Sequence, residues 1–321
     1  MNKHMPYDLK QMQSLPLEAK IIMTQQRIKQ WYEYWDGMVY VSVAGKDSNV
    51  LKHLVKTTVG VYDVPNVFVN TGLEYPEVRM FNTQQQDVIT LYPEMRFNEV
   101  IKKYGYPVAT KEQSAFIQEY CTTNSEKLKD IRLNGNKYGR GKISKRWLPL
   151  IDAPFKVSDK CCDIMKKNPM KQYEKETGRK AIIGTMAYES ARRTSNWIMY
   201  GCNAFEKKHP TSQPMSFWTE QDVLEYIAKF NVPIPSVYGE IKQDDNGKYY
   251  TTGCDRTGCI FCMFGCHLEK APNRFQRLKQ THPRQYEYCI GGGEMVDGKW
   301  QPSKEGLGLG HVLDYIGVDY E

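Results

Sequence analysis

The chain has 321 residues, of which 40% are hydrophobic and 25% are charged, and its formal net charge is +7 at pH 7. This composition is typical of a globular domain, and no run approaches the roughly 18 apolar residues of a membrane span, so a membrane-spanning protein is excluded. The length allows one large domain, or one domain with a substantial appendage.

The N-terminal stretch MNKHMPYDLKQMQSLPLEAK lacks the continuous apolar region and the small-residue cleavage site of a secretory signal. We therefore expect a cytoplasmic protein. Thiols stay reduced in that compartment, so a dense group of cysteines there predicts a metal or redox site rather than a disulfide framework.

Strands and helices alternate along the first two thirds of the chain. A helical stripe from Leu15 to Trp35 precedes the apolar run MVYVSV (38–43), the turn AGKDS and a helix at 49–58. The pattern then repeats twice, as NVFVNTG followed by EYPEVRMFNTQQQ, and as KAIIGT (180–185) followed by ESARRTSNW. This alternation predicts an α/β fold with a doubly wound parallel sheet, whose ligand binds beyond the carboxyl ends of the strands.

The last third of the chain carries fewer signals. TEQDVLEYIAKF predicts a helix with Thr219 as its N-cap and Asp222 as the acidic partner of a capping box. After Gly291 the glycine-rich sequence predicts a loosely ordered tail, in which HVLDYIGV forms a last short helix.

A basic segment runs from Lys127 to Arg146, with three glycines and one acid, Asp130, among its cations. The cations are Lys127, Lys129, Arg132, Lys137, Arg140, Lys142, Lys145 and Arg146. We interpret the segment as a mobile loop. It is either a solvated excursion or a flap that contacts the phosphates of a nucleotide or a nucleic acid.

The turn VAGKDS (43–48) is a candidate anion site. Successive backbone N–H groups in a glycine turn at a helix N-terminus attract an anion, and Lys46 adds a positive charge. The spacing of a Walker loop is missing. The alternative interpretation is a purely structural turn at Gly45.

Five segments, in order, resemble a known family. VAGKDS is similar to the SGGKDS pyrophosphate loop of the adenine nucleotide alpha-hydrolase-like (PP-loop) enzymes, and FVNTGLEYPE (68–77) resembles a segment of their phosphoadenylyl-sulfate (PAPS) reductase branch. KCCDIMKKNP (160–169) and GTMAYESARR (184–193) resemble the double-cysteine and [EQ]-S-x-x-R segments of adenylyl-sulfate reductases. The stretch from Pro214 to Gly239 is similar to the one that leads into their G-C-x-x-C pair, here 258–262.

The resemblance implies the site residues. Nucleotide-binding positions are Ala44, Gly45, Lys46, Asp47, Ser48, Thr71, Gly72, Ser190 and Arg193, of which Lys46, Asp47 and Arg193 are the catalytic candidates. Two positions depart from the family pattern. Val43 replaces the first serine of the loop, and Met186 replaces an arginine that would hold an anion, a role for which Arg192 or the basic segment is a substitute.

Four cysteines lie in GCDRTGCIFCMFGCH, at positions 254, 259, 262 and 266. In iron–sulfur members of the family a Cys-Cys pair and a later C-x-x-C pair bind a [4Fe-4S] cluster, which implies Cys161, Cys162, Cys259 and Cys262 here, with Cys254 and Cys266 as alternates. Four local thiolates at Cys254, Cys259, Cys262 and Cys266 also suit a tetrahedral zinc ion. His267 is expected to hydrogen-bond beside the cluster, and Glu74 and Glu189 to cap helices.

From this resemblance we expect three parts: a helical lead-in at 1–37, a nucleotide-binding PP-loop domain at 38–235 with a basic insert at 121–150, and a cysteine-rich segment with a tail at 236–321. The G-K-D-S form favours cleavage of ATP between the α and β phosphates, which activates an acceptor for sulfur transfer. Magnesium is a further candidate ion.

Two alternatives to this function stay open. One is a sulfonucleotide reductase, although the E-C-G-L-H segment that carries the nucleophile of such enzymes has no match in the sequence. The other is a non-catalytic nucleotide and redox sensor that binds a partner or nucleic acid through the basic segment. The sulfur donor and the acceptor are not identified by the sequence.

Overall fold

A computed structural model describes residues 3–59 and 64–321. Their contacts divide the chain into two compact units. The sheet unit takes its described residues from within Met1–Asn70, Glu74–Tyr92 and Met170–Thr257, and the cysteine unit consists of Thr71–Leu73, Pro93–Pro169 and Gly258–Glu321.

The described residues form α-helices and short strands that alternate over the first half of the chain. The helices are α1 Pro6–Gln13, α2 Leu17–Tyr34, α3 Lys46–Val59, α4 Pro76–Thr83, α5 Phe97–Tyr104, α6 Lys111–Thr122, α7 Glu126–Asn134, α8 Asn168–Thr177, α9 Ala191–Tyr200, α10 Glu220–Phe230, α11 Arg274–Thr281, α12 Pro283–Ile290 and α13 Leu309–Tyr315. The strands are β1 Val39–Ser42, β2 Asn66–Val69, β3 Val88–Leu91, β4 Lys180–Ile183, β5 Asn203–Ala204, β6 Thr211–Ser212, β7 Ile241–Gln243, β8 Tyr249–Thr251, β9 Glu294–Val296 and β10 Lys299–Gln301.

The sheet unit is built on a six-stranded sheet of order β3-β2-β1-β4-β6-β5. All neighbouring pairs are parallel except β5 and β6, and the register sets Val41 beside both Asn66 and Ile182. Successive strands are added on one side of β1 up to β3, and from β4 onwards on the other side. The order therefore reverses between β1 and β4, and at such a switch point an open α/β sheet binds its ligand. The predicted α/β fold with a mainly parallel sheet is confirmed.

The core of this unit lies between the sheet and its helices. Val39 and Val41 of β1 are fully buried, as are Ile28 and Trp31 of α2 in the same apolar cluster. A central parallel strand is covered on both faces, which explains why β1 is a continuous apolar run rather than an alternating one. The lead-in helix is therefore part of the core of the sheet unit.

Local signals predicted α10 in detail. Thr219 Oγ1 accepts a hydrogen bond from the Asp222 N–H (3.4 Å), and Asp222 Oδ2 accepts one from the Thr219 N–H (2.6 Å). The capping box is confirmed. The helix ends at Asn231 in the left-handed conformation (φ 50°), which asparagine tolerates better than most residues.

Two segments predicted as loops are ordered. The basic segment begins in α7, which Ser125 caps by accepting from the Leu128 N–H (3.3 Å) and which ends at Gly135 (φ 93°). After Gly291 the chain forms the hairpin β9–β10 instead of a loose tail. Its two-residue turn, Asp297-Gly298, has positive φ at both positions, the preferred geometry for an Asp-Gly hairpin.

Helix α3 also begins earlier than predicted, at Lys46 rather than at residue 49. The last predicted helix is confirmed as α13. Over residues 3–59 and 64–321, no helix combines the length and the apolar character that crossing a membrane requires.

Candidate functional site

The loop after β1 closes on itself and leads directly into α3. The Ala44 N–H donates to Ser48 Oγ (2.7 Å), and Ser48 Oγ donates to the Gly45 carbonyl (2.8 Å). The side-chain amide of Asn49 donates to the same carbonyl (2.9 Å). This arrangement holds the N-terminus of α3 at the carboxyl end of β1, where the first N–H groups of a helix and its dipole favour an anion.

Gly45 and Gly184 lie where other residues approach closely. A Cβ on Gly45 would lie 2.3 Å from the Tyr238 hydroxyl, and one on Gly184 would lie 3.1 Å from both the Asp47 carbonyl oxygen and Ser48 Cα. The Tyr238 hydroxyl accepts from the Lys46 N–H (3.2 Å). The loops after β1 and β4 thus meet closely at the switch point, as the sheet order predicts.

Lys46 is buried beneath this loop, with 2% of its surface exposed. Its ammonium donates to the carbonyl of Asp255 (2.8 Å) and lies 3.1 Å from a carboxylate oxygen of Glu220, the first residue of α10. It also lies 5.3 Å from the centre of the Tyr238 ring. The lysine is therefore a fixed positive charge whose present partners are the Asp255 carbonyl and two carboxylates, those of Glu220 and Asp47.

Asp47 is an acid in an environment that disfavours its charge. Burial raises the pKa of the Asp47 carboxyl, although the nearby charges of Lys46 and Arg256 lower it. Its Oδ1 atom is buried and accepts no hydrogen bond from the residues that the structure describes, while the Lys46 ammonium lies 3.6 Å away. A buried carboxylate oxygen of this kind fits a metal ion or a ligand hydroxyl.

Glu189 joins two arginines beside this loop. Its Oε1 atom accepts from Arg256 (2.6 Å), while Oε2 pairs with Arg193 and accepts from the Met186 N–H (2.9 Å). Burial, together with the positive charge of Arg256, lowers the pKa of Arg193. Ser190 Oγ accepts from the Arg193 N–H (3.3 Å) and so caps α9. The expectation that Glu189 caps α9 is wrong, because Ser190 has that role.

Sequence reasoning missed several residues of this site. Glu220, Tyr238, Asp255, Arg256 and Thr257 surround Lys46 and Glu189. The segment that holds Asp255 and Arg256 stands between two cysteines and was assigned to a metal site for that reason. Only the fold brings it to the switch point.

The departures from the family pattern are core residues. Val43 and Met186 are buried in the apolar cluster of the sheet unit. At this buried apolar position a methionine side chain fills the space, whereas the charged group of an arginine would have to point out of it. Arg192 is exposed, and no described acid pairs with it. The second arginine of the site, next to Arg193, is therefore Arg256.

Thr71 and Gly72 follow β2 and belong to the cysteine unit. Thr71 Oγ1 accepts from the Leu73 N–H (3.1 Å), and Gly72 has a positive φ of 74°. The Leu73 carbonyl in turn accepts from the Ile260 N–H (2.8 Å), inside the C-x-x-C segment. Through these bonds the turn after β2 helps to position the second cysteine pair.

The two cysteine pairs of the resemblance line one pocket in the cysteine unit. Cys161, Cys162, Cys259 and Cys262 share its wall with Leu73, Phe97, Pro107, Met165 and Lys166. Its volume is about 20 Å³, more than the roughly 10–15 Å³ that one water molecule requires. The fold has thus joined two pairs that are about 100 residues apart in the sequence.

The electrostatics of this pocket favour a thiolate. The Cys161 thiol donates to Cys162, with 4.0 Å between the sulfur atoms. This hydrogen bond and the charges of Lys111 and Lys166 lower the pKa of Cys162 to about 6, against the opposing effect of burial, whereas the same bond raises the pKa of Cys161. Burial also raises the pKa of Cys262. The pair therefore releases its first proton readily and its second with difficulty.

In the described part of the chain, no three histidine, cysteine or acidic side chains converge on a single metal-ion position. The four cysteines stand instead around a pocket. The ligands of an iron–sulfur cluster each bind a different iron, whereas those of zinc meet at one ion.

Cys254 and Cys266, the alternate ligands, are not among the residues that line this pocket. Cys266 is almost fully buried, burial raises its pKa to about 11, and it is not part of the wall of the pocket. Cys254 belongs to the sheet unit.

His267 stands edge-on to Trp147, with 4.8 Å between the ring centres, and burial lowers its pKa. Of the three isolated cysteines, Cys121 is exposed, and Cys202 and Cys289 are buried.

Parts of this chain are similar to known proteins. Residues 126–263 match the model of the phosphoadenosine phosphosulfate reductase domain, a range that includes both cysteine pairs and the loop after β4. An uncharacterised protein of Methanocaldococcus jannaschii is 25% identical over 285 residues, which cover 85% of this chain and 48% of that protein. The chain thus spans about half the length of this relative. A crystal structure of PAPS reductase from Candida auris in complex with phosphate aligns with a TM-score of 0.37 and 14% identity, over 73% of this chain and 98% of that one.

Proposed function

We propose, on the premise that the chain belongs to the PAPS reductase-like family of nucleotide-binding enzymes, that it cleaves ATP between the α and β phosphates to activate an acceptor for sulfur transfer. The nucleotide would bind at Ala44–Ser48 and the loop 184–193. A [4Fe-4S] cluster would be held by Cys161, Cys162, Cys259 and Cys262.

The observation that carries the proposal is the position of Lys46 and Asp47 at the switch point. A buried lysine and the N-terminus of α3 offer positive potential where the sheet binds its ligand. Asp47 adds a buried carboxylate oxygen that accepts no hydrogen bond from the described residues and is suited to a magnesium ion. Nucleoside triphosphates such as ATP commonly bind to enzymes as magnesium complexes.

The cations of the site suit the leaving group. In α–β cleavage the acceptor forms a bond to the α phosphorus and loses a proton, while pyrophosphate leaves with the bridging oxygen and its electron pair. Lys46, Arg193 and Arg256 would neutralise the charge that grows on pyrophosphate. Their present partners are carboxylates, so binding exchanges a carboxylate for a phosphate at each cation.

The cysteine pocket supplies the donor set of a cluster. Four thiols line it, and the hydrogen bond from Cys161, together with the charges of Lys111 and Lys166, lowers the pKa of Cys162 and favours its thiolate. When bound, such a cluster provides iron sites that hold sulfur or carry electrons. The second candidate function, reduction of a sulfonucleotide, is favoured by the description of the matching family model, which is that of a PAPS reductase domain.

One experiment separates these functions. The full chain is incubated with magnesium and α-labelled ATP, or with adenylyl sulfate or PAPS and a thiol reductant, and the products AMP, pyrophosphate and sulfite are measured. Release of AMP and pyrophosphate from ATP, lowered about 100-fold or more in Lys46→Ala, supports the proposal. Lys52→Ala is the matched control, since Lys52 lies on the same helix but pairs with Asp87 away from the loop.

The other outcomes contradict the proposal. Release of sulfite from a sulfonucleotide, without turnover of ATP, would identify a reductase. Binding of ATP without any product would identify a sensor. Equal rates for wild type and Lys46→Ala would place the chemistry elsewhere.

A further inference from the structure

The positive charge of the chain is concentrated in one short segment of the cysteine unit. Residues 126–146 hold eight lysines and arginines and two acids, Glu126 and Asp130, a net charge of +6 where the whole chain has +7. Most of these cations are exposed and pair with no acid in the described structure: Lys127, Lys137, Arg140, Lys142, Lys145 and Arg146. Such a surface attracts a polyanion.

The centre of the segment is an ordered turn, which we call the basic tip (residues 135–142). The side-chain carbonyl of Asn136 accepts from the N–H groups of Tyr138 (2.9 Å) and Arg140 (3.1 Å). The Asn136 N–H donates to the Arg140 carbonyl (2.8 Å). A Cβ on Gly135 would lie 3.0 Å from the backbone of Gly139, so the turn closes tightly on itself.

Arg132 connects the basic tip to the rest of the cysteine unit. Arg132 donates to Glu119 (2.7 Å) and to the Gly141 carbonyl (2.6 Å), and its guanidinium stacks 4.2 Å from the centre of the Phe116 ring. Ile143 is buried at the base, and its N–H donates to the Arg132 carbonyl (2.7 Å). The bonds of Arg132 are internal, so it holds the tip rather than a ligand.

The held turn presents an aromatic ring to solvent. Tyr138 is 72% exposed, and the Lys137 ammonium lies 4.9 Å from the centre of its ring. Arg140, two residues on, is also exposed. The turn buries little of this ring, so the ring contributes little to the packing of the unit.

We infer that the basic tip binds single-stranded nucleic acid, with an unpaired base stacked on Tyr138 and phosphates on Lys137 and Arg140. Stacking explains the exposed ring, because the π-face of any base fits it, and the flanking cations match the phosphates on either side of a stacked base. An acidic protein or an anionic membrane can also contact the cations and the ring, but single-stranded nucleic acid alternates flat bases with phosphates, as the basic tip alternates its ring with cations. This surface is independent of the chemistry proposed for the nucleotide site.

The segment also leads towards His267, next to Cys266 of the cysteine-rich segment. Its last residue, Arg146, stacks on Trp147, with 4.7 Å between the guanidinium and the ring centre. Trp147 contacts His267, which follows Cys266. A nucleic-acid strand that follows the cations from the basic tip would therefore run towards the cysteine-rich segment.

The test uses the full chain and a fluorescein-labelled single-stranded RNA of twelve nucleotides, with fluorescence anisotropy over a range of salt concentrations. We expect Tyr138→Ala to weaken binding about tenfold and Tyr138→Phe, which keeps the ring, to retain it. Lys137→Ala/Arg140→Ala should reduce the slope of log affinity against log salt by about 1.4, from roughly 0.7 for each phosphate contact. Lys102→Ala/Lys103→Ala, on exposed residues of α5, removes the same charge and should leave the slope unchanged.

Three results would overturn the inference. The first is the absence of salt-dependent RNA binding in wild type. The second is equal affinity of Tyr138→Ala and wild type for the RNA, which would indicate a general polyanion site. Binding of heparin with the same dependence on salt concentration would indicate such a site as well. The third is a preference for phosphatidylserine vesicles over the RNA, which would identify a membrane surface.

Discussion

The ammonium of Lys20 lies 2.8 and 2.7 Å from the two carboxylate oxygens of Asp222, a residue 202 positions away. Lys20 is 2% exposed and also donates to the Gln13 carbonyl (2.7 Å). Asp222 is at the same time the acid of the capping box of α10. One carboxylate therefore begins α10 and connects it to α2.

Removal of one member of this pair should destabilise the sheet unit strongly. Lys20→Met leaves the Asp222 carboxylate buried and without its counter-charge, which costs about 3–5 kcal/mol. Urea denaturation followed by circular dichroism gives the free energy of unfolding. Lys29→Ala is the control, because Lys29 and Glu33 form an exposed pair (3.8 Å) that contributes little. A similar free energy of unfolding for both variants would contradict the expectation.

The two roles of Asp222 show what the sequence can predict about the fold. The capping box depends on residues three apart, Thr219 and Asp222, so it was predicted from local spacing. No local signal identifies the partner Lys20, because a contact over 202 positions leaves no pattern in the sequence. Likewise, strand and helix order followed from periodicity, whereas the close approach of Gly184 to Asp47 depends on strand order.

Gly45 should be intolerant of any side chain because of Tyr238. The Cβ of Gly45→Ala would overlap the Tyr238 hydroxyl at 2.3 Å, and relief of that contact costs about 1–3 kcal/mol of the free energy of unfolding. In a Tyr238→Phe background the next ring atom lies 3.5 Å away, so the same substitution should cost less. Urea denaturation of both singles and the double variant measures this coupling. An equal cost of Gly45→Ala in both backgrounds would refute it.

Arg256 should contribute to nucleotide affinity. If it exchanges Glu189 for a phosphate, Arg256→Ala loses a charge-assisted hydrogen bond of about 1.5–3 kcal/mol, or roughly tenfold or more in affinity for the non-hydrolysable analogue α,β-methylene-ATP. Arg192→Ala removes an exposed arginine nearby and should change the affinity less than twofold. Isothermal titration calorimetry provides the measurement. Equal affinities for the two variants would remove Arg256 from the site.

The Arg256 case also shows why the site was predicted only in part. The loop Ala44–Ser48 is continuous in sequence, so its backbone and Lys46 were identified together. The charges that surround it come from Glu189, Glu220 and Arg256, which share no motif. Arg256 could have been noticed as a cation in a segment otherwise read for its cysteines, but its pairing with Glu189 required the fold.

His53 should make the fold less stable in acid. Its Nδ1 atom lies 2.8 Å from the Tyr226 hydroxyl, and burial together with the charge of Lys56 lowers its pKa below 6.5. Because the unfolded state then binds the proton more tightly, the stability from neutral His53 is complete above pH 6.5 and is lost as pH falls towards the lowered pKa. Urea denaturation at pH 7.5 and 5.5 should show a smaller loss in His53→Gln than in wild type. An unchanged loss would assign the acid sensitivity to other groups.

The four cysteines that line the pocket predict the metal content of the protein. On protein purified without oxygen, we expect about four irons and four sulfides per chain, and Cys161→Ala/Cys162→Ala should lose nearly all of both. Cys254→Ala/Cys266→Ala removes the same number of thiols, but neither residue lines the pocket, so iron should be retained. Cys121→Ala, at an exposed position, controls for loss of any cysteine. One zinc per chain, lost in the second double variant and kept in the first, would instead establish a local structural site at residues 254–266.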